Sequence, residues 1–230
     1  MKKYIKINLT FILIIFQFLL VFYIPVNAQV NKSFYPVADS YVRDHYQENN
    51  YGNLDYLMIA NYTDKIAFSF IMFDLSDLPN DAYINLGTLK LKSKYIGRGL
   101  IKYDLLSPNS IGVCKSENIT WIETDINWNN KPEFSQETIS IDGVYSPDTW
   151  GTWKITEVII PGEKLTIVLK AYHEETGFYS RESDYCPELE IEYLERGFII
   201  IVQIIVAVSA ISVIILVSFI YMRRRRSKKK

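Results

Sequence analysis

Cysteine and histidine are nearly absent from this chain: two of each in 230 residues. That scarcity removes most metal and nucleophile chemistry. The two histidines, His45 and His173, stand far apart, with no H-E-x-x-H pair for a zinc protease. There is no G-x-S-x-G elbow and no glycine-rich phosphate loop. No EF-hand spacing occurs. Amphipathic helices of three turns, internal repeats and low-complexity linkers are missing as well. Acidic residues are absent from both ends, so all 26 fall within residues 29–196. Charge of either sign is absent from Gly197 to Met222.

Each of those last two absences is informative. About 20 apolar residues at about 1.5 Å rise cross a hydrocarbon core of roughly 30 Å, and 197–222 supplies 26. Only a helix satisfies its own backbone in lipid, so this segment is expected to span a membrane. RRRRSKKK follows at 223–230, and such a cluster is retained in the cytoplasm and attracts anionic lipid headgroups. At the other end, Lys2, Lys3 and Lys6 precede an apolar stretch from Leu9 to Ile24, and Val26-Asn27-Ala28 offers small residues to a signal peptidase. Residues 1–28 therefore read as a signal peptide, with an uncleaved first anchor as the rival. Either way residues 29–196 lie outside the plasma membrane, which the chain crosses once if the signal is removed.

This 168-residue segment suffices for one well-buried domain. It holds 15 of the 25 Lys and Arg against all 26 acids, a net formal charge of −11. Such a field repels nucleic acid and favours cations or neutral ligands. In an exported domain the even pair Cys114 and Cys186 is expected to form a disulfide; two free thiols are the alternative if their Cα atoms are far apart. Asn31, Asn61 and Asn118 each open a glycosylation sequon.

The pattern is β throughout. From Thr88 to Tyr95, Leu89, Leu91, Ser93 and Tyr95 alternate with Lys90, Lys92 and Lys94. Leu165, Ile167, Leu169 and Ala171 repeat the period, as do Leu189, Ile191 and Tyr193 with Glu188, Glu190 and Glu192 opposite. Period two with one apolar face is a half-buried strand, and the Lys and Glu rows are expected to face each other across neighbouring strands. Ala67 to Leu75 is apolar on both faces and reads as a central strand. Turn signals punctuate the rest, among them Asp74–Asp81, Ser107-Pro108-Asn109, Ser146-Pro147-Asp148 and Cys186-Pro187. An all-β sandwich follows. Its last strand ends near Leu194, so no stalk separates it from the span.

Four landmarks occur in a fixed order. Ala38-Asp39-Ser40-Tyr41-Val42-Arg43 is followed by Asn50-Tyr51-Gly52; then comes Phe73-Asp74-Leu75-Ser76 with Leu78-Pro79. Trp121-x-Glu123 precedes Ile126-Asn127-Trp128-Asn129-Asn130-Lys131-Pro132, and Phe178-Tyr179-Ser180-Arg181-Glu182-Ser183 precedes Pro187-Glu188-Leu189 and Tyr193. This set, over about residues 34–194, resembles the DNRLRE-domain family, related to archaeal disaggregatase repeats and to carbohydrate-binding module family 96. Asn127 departs from the family's usual Thr, and Asn53 to Lys65 matches weakly. The resemblance implies a jelly-roll-like β-sandwich with a non-catalytic role on carbohydrate or matrix.

From the residues themselves, Trp121 and Trp128 are expected in the core, because Trp buries a large area and needs one N–H partner. Trp150 and Trp153, near Gly151, are candidate sugar-stacking platforms, with burial in the core as the alternative. Tyr41 with Arg43, and Tyr179 with Arg181, pair a ring with a fork of donors suited to a sugar or a uronate carboxylate, or to structural ion pairs. Asp39, Asp44 and Glu182 are oxygen-rich candidates for a calcium ion. The function expected is a membrane-anchored protein binding polysaccharide or envelope glycan. The alternatives are an adhesion subunit that binds another surface protein and a tethered polysaccharide-cleaving enzyme.

Overall fold

The computed structural model describes residues 29–227 except 63, 97–108, 145 and 173–174. The expected signal peptide (1–28), His173 and the last three lysines lie outside the described residues. Two compact units are present, Asn31–Tyr193 and a second that contains the C-terminal helix.

The first unit is all-β. Its strands are β1 (Gln29–Phe34), β2 (Pro36–Arg43), β3 (Tyr56–Tyr62), β4 (Lys65–Asp74), β5 (Tyr83–Ile96), β6 (Asn109–Ser116), β7 (Ser140–Val144), β8 (Trp150–Lys154), β9 (Lys164–Ala171), β10 (Thr176–Tyr179) and β11 (Glu188–Leu194). They form one curled antiparallel sheet in the order β1-β11-β5-β10-β3-β4-β9-β6-β7, with β2 added on β4 and β8 on β5. Strand β3 turns the corner: Tyr56–Ile59 pair with β10, and Ala60–Tyr62 pair with β4. Curling brings β2, β4, β9 and β6 over β11, β5, β8 and β10 in the manner of a jelly-roll-like sandwich. Trp153 of β8 joins the two layers, its ring buried and its indole N–H donating to the Ile111 carbonyl of β6 at 3.3 Å.

Period two places the core as expected. Leu89, Leu91, Leu189 and Ile191 are fully buried, while Lys90 faces out and meets Glu190 at 2.8 Å and Glu188 at 3.7 Å. The lysine and glutamate rows therefore do meet at Lys90, across the neighbouring strands β5 and β11. Lys92 and Lys94 turn elsewhere, to Asp148 and Asp55.

Strand β4 is buried on both faces, and the reason is a third layer. Ala67 packs with Tyr41, Met58 and Ala60 on one side. On the other, Phe68 and Phe70 join Val42, Cys114 and Val168 beneath the long connection after β6, which brings Trp121, Ile126, Trp128 and Phe134 onto them. Trp128 stacks on Phe68 at 5.7 Å between centroids. Trp121 donates its indole N–H to Thr166 at 3.2 Å. Both tryptophans are thus half-buried and packed onto the core, the side their patterning implies. The same cover buries Thr166 and Val168, so β9 is dry on both faces rather than half-exposed.

The two cysteines are free, which corrects the expected disulfide. Cys114 is committed to the hydrophobic cluster under the long connection. Cys186 sits in the turn before β11, and its thiol donates to the Pro187 carbonyl at 3.4 Å.

Helix α1 (Arg196–Ser227) forms the second unit's regular element. Its segment Val202–Phe219 is long and apolar enough to cross a membrane, with mean hydropathy 2.7. The polar side chains Ser209 and Ser212 within it bond back to the carbonyls of Val206 and Val208, which removes their free hydroxyls.

Candidate functional site

The ordered landmarks converge on one cluster. Asp39 in β2 is 1 % exposed. Its main-chain N–H donates to Glu123 Oε1 at 2.7 Å, and its carboxylate accepts the Arg181 main-chain N–H at 2.8 Å. The Arg181 guanidinium returns to Glu123 Oε2 at 2.7 Å and lies 3.8 Å from Glu182. Ser180 donates to Glu182 at 3.1 Å. Asn50 fastens the loop that carries Glu123, donating to the carbonyls of Glu123 and Ile126 at 2.7 and 2.8 Å. Gly52 is required beside it, because a Cβ there would lie 2.4 Å from the Glu123 carbonyl oxygen.

Three carboxylates face one guanidinium, so the cluster is short of positive charge. Burial, with Glu182 and Glu123 adding to it, pushes the Asp39 carboxyl up to about 8 against the opposing Arg181 N–H. The same burial, with Asp39 nearby, pushes the Cys186 thiol up to about 11. Asp39, Glu123 and Glu182 each offer a carboxylate oxygen, all within 4.8 Å of one another. An all-oxygen, net-negative set fits a hard cation such as calcium. These three residues would hold it, and its charge would tie β2, the long connection and the turn after β10 together. Asp44 is not part of the set. It caps β4 instead, accepting the Ile66 N–H at 2.9 Å, which corrects its assignment as a ligand.

A second constellation lies on the outer face around β5, where Trp150 and Tyr185 are exposed and Tyr179, Lys92 and Lys94 are half-buried. Trp150, the cross-strand partner of Lys92, is 50 % exposed. Among the described residues no ring and no cation packs on it. The Lys92 ammonium stands 3.3 Å from the Tyr185 ring centroid and 5.6 Å from that of Tyr179. Those two rings are 5.0 Å apart and tilted. Asp148 accepts from the Tyr179 hydroxyl at 3.1 Å and lies 3.9 Å from Lys92. Lys94 pairs with Asp55 at 2.5 Å and lies 5.4 Å from the Tyr179 ring centroid. Rings with a free face beside paired donors and acceptors can stack on sugar C–H surfaces and bond hydroxyls.

Of the residues expected to touch a ligand, Trp150 and Tyr179 both neighbour Lys92 on this face. Arg181 does not; it is spent on Glu123 and Glu182. Arg43 lies over the Tyr46 ring at 4.9 Å. Tyr41 and Trp153 are structural: both are buried, Tyr41 stacked on Tyr51 at 4.2 Å and Trp153 edge-on to Phe178 at 6.0 Å. Their rings offer no face to a sugar. Sequence reasoning passed over Glu123, Lys92, Asp148 and Tyr185. Lys92 reads as one member of a charged row, Asp148 reads as a turn residue, and Tyr185 stands in no motif. Glu123 stood in the W-x-E motif, and that was its only signal. The sequon residues Asn31, Asn61 and Asn118 are all exposed, though the Asn61 amide donates to the Tyr172 carbonyl at 3.1 Å.

No curated protein matches the chain. The family model for carbohydrate-binding module family 96 matches residues 30–193, nearly the whole β unit. The chain belongs to carbohydrate-binding module family 96.

Proposed function

We propose that this is a single-pass surface protein whose one β-sandwich binds glycan of the cell envelope or matrix without cleaving it. Family membership over residues 30–193 is the observation that carries the reading. The exposed face of Trp150, Tyr179 and Tyr185 supports it, because it is open, aromatic and lined by hydrogen-bonding pairs. The acids around Asp39 are occupied with Arg181 and with main-chain N–H groups.

The anchor is the charge-free helix segment Val202–Phe219, followed by Arg223–Arg226. In this reading the arginines and lysines stay in the cytoplasm against anionic lipid, and the sandwich is presented outside. Residues 1–28 serve as the export signal. Calcium, if bound, is held at Asp39, Glu123 and Glu182 and steadies the fold rather than touching sugar.

The test uses the full chain in nanodiscs, screened on a glycan array and by polysaccharide pull-down. Saturable retention on at least one polysaccharide, lost in Trp150→Ala, is the expected result. Absence of retention on every glycan, from protein with a cooperative melting transition, refutes the reading. Protease protection in sealed vesicles tests orientation: the tail is expected to be shielded on the side opposite the sandwich.

A further inference from the structure

The sequence treats the sequons at Asn31, Asn61 and Asn118 alike, and the fold separates them. We infer that the folded chain is N-glycosylated at Asn118 and not at Asn31 or Asn61. The co-substrate is a lipid-linked glycosyl phosphate. The inference rests on the export of residues 29–196 proposed above.

The transfer step sets the demands. The bond from the glycosyl carbon to the phosphate oxygen breaks, and a bond from that carbon to the asparagine Nδ2 forms. The departing phosphate keeps the bonding pair, and Nδ2 gives up one proton to solvent. The nitrogen must therefore be exposed and free of other partners. The sequon also requires a hydroxyl two residues on, and that hydroxyl must be able to reach the same amide.

Asn118 meets both demands. It stands just beyond the end of β6, and both it and Thr120 are exposed. Its Oδ1 accepts the Thr120 main-chain N–H at 2.9 Å and the Thr120 hydroxyl at 3.1 Å. Two donors on one atom fix which end of the amide is oxygen. Among the described residues nothing bonds its Nδ2. No strand pairing has to break to reach it. Sugar rooted there also covers Ile119, an apolar side chain left 37 % exposed.

Asn61 fails on the nitrogen. Its Nδ2 donates to the Tyr172 carbonyl at 3.1 Å, and its main chain lies in the ladder of β3 and β4 opposite Ile66. Tyr62, the middle residue of that sequon, is held too, its hydroxyl accepting the Glu175 N–H at 3.0 Å. Asn31 fails on the hydroxyl. It lies in β1, where residues two apart are separated by roughly 6.6 Å, and Ser33 donates instead to Glu188 at 2.6 Å. Either sequon is usable only after its strand opens, which costs free energy.

The experiment incubates the full chain, folded in detergent micelles, with a purified oligosaccharyltransferase and a lipid-linked oligosaccharide. Peptide mass spectrometry reads the products. Asn118 should be modified at least about 10-fold faster than Asn31 or Asn61. Short peptides carrying Asn61-Tyr62-Thr63 and Asn118-Ile119-Thr120 should react within about 3-fold of each other, because both present the same motif without the fold. Asn118→Gln should leave the folded chain almost unmodified. Chain purified from the membrane of the cell that makes it should carry sugar at Asn118 alone. Equal rates at the three sites of the folded chain, or a peptide preference as large as that of the folded chain, would overturn the selection by fold. Sugar at Asn31 or Asn61 with Asn118 bare would overturn the assignment. Sugar at none of the three in the cell's own chain would overturn the modification, and protease protection then tells whether export fails with it.

Discussion

Glu123 accepts the main-chain N–H of Asp39 at 2.7 Å, across 84 residues of sequence. Its second oxygen accepts the Arg181 guanidinium, also at 2.7 Å. One carboxylate therefore locks the long connection to β2 and to the turn after β10. Glu123→Ala leaves a buried N–H and a half-buried guanidinium without their partner. A loss of about 2–4 kcal/mol is expected, read as a lowered midpoint in chemical denaturation. Glu123→Gln keeps one acceptor and should lose about half as much. An unchanged midpoint in Glu123→Ala would show that the lock contributes nothing.

Asp39 makes stability depend on pH. Burial pushes its folded carboxyl up to about 8, against an ordinary value of 3.8. Between those values the folded chain holds a proton that the unfolded chain releases. The contribution is fully present below about pH 4 and is lost as pH rises through about 8. Unfolding free energy should accordingly fall from pH 5 to pH 8.5 by on the order of a few kcal/mol, read as a falling melting temperature. Asp39→Asn should flatten that slope. Calcium bound by the three carboxylates would compete with the proton, so added calcium should raise the melting temperature most at the alkaline end. A midpoint that climbs with pH over this range in the unaltered chain contradicts the assignment.

Much of the β framework was legible because it depends on near neighbours. The alternation at Leu89, Leu91 and Ser93 states which face is wet, and the structure buries all three. Trp121 and Trp128 were legible as core from their patterned segment. The burial of β9 on its second face was not, since what covers Thr166 and Val168 is a connection with no period of its own. The site divides the same way. Trp150 and Tyr179 stood out as residue types, but Tyr41 and Trp153 carry the same chemistry and are buried. Only the register of β8 on β5 tells Trp150 from Trp153: Trp150 pairs with Lys92 and looks outward, Trp153 pairs with Leu89 and looks inward. Parity on the strand decides it, and the sequence shows both as tryptophans beside one glycine.

Free cysteines make a third prediction. Cys114 is buried under aromatic rings, and burial holds the Cys186 thiol well above the ordinary range. Cys114 is shielded from solvent by its burial, and Cys186 is not a ready thiolate. Folded protein should therefore react with a thiol reagent far more slowly than unfolded protein, which should release two equivalents. Reductant should leave both melting temperature and electrophoretic mobility unchanged. A mobility shift on reduction would restore the disulfide.

The two tryptophans of β8 should separate stability from binding. Trp153 is 0 % exposed, bonds Ile111 across the sandwich, and meets Phe178 edge-on. Trp153→Ala removes a core ring and strands a carbonyl, so about 3–5 kcal/mol should be lost. Trp150→Ala removes a ring that stands in solvent and should cost less than about 0.5 kcal/mol. Fluorescence should mirror this: a polar quencher should reach Trp150 and leave Trp153 untouched, and bound glycan should shield Trp150. Equal destabilisation by the two substitutions would mean that Trp150 is packed, and the outer face would then have no platform.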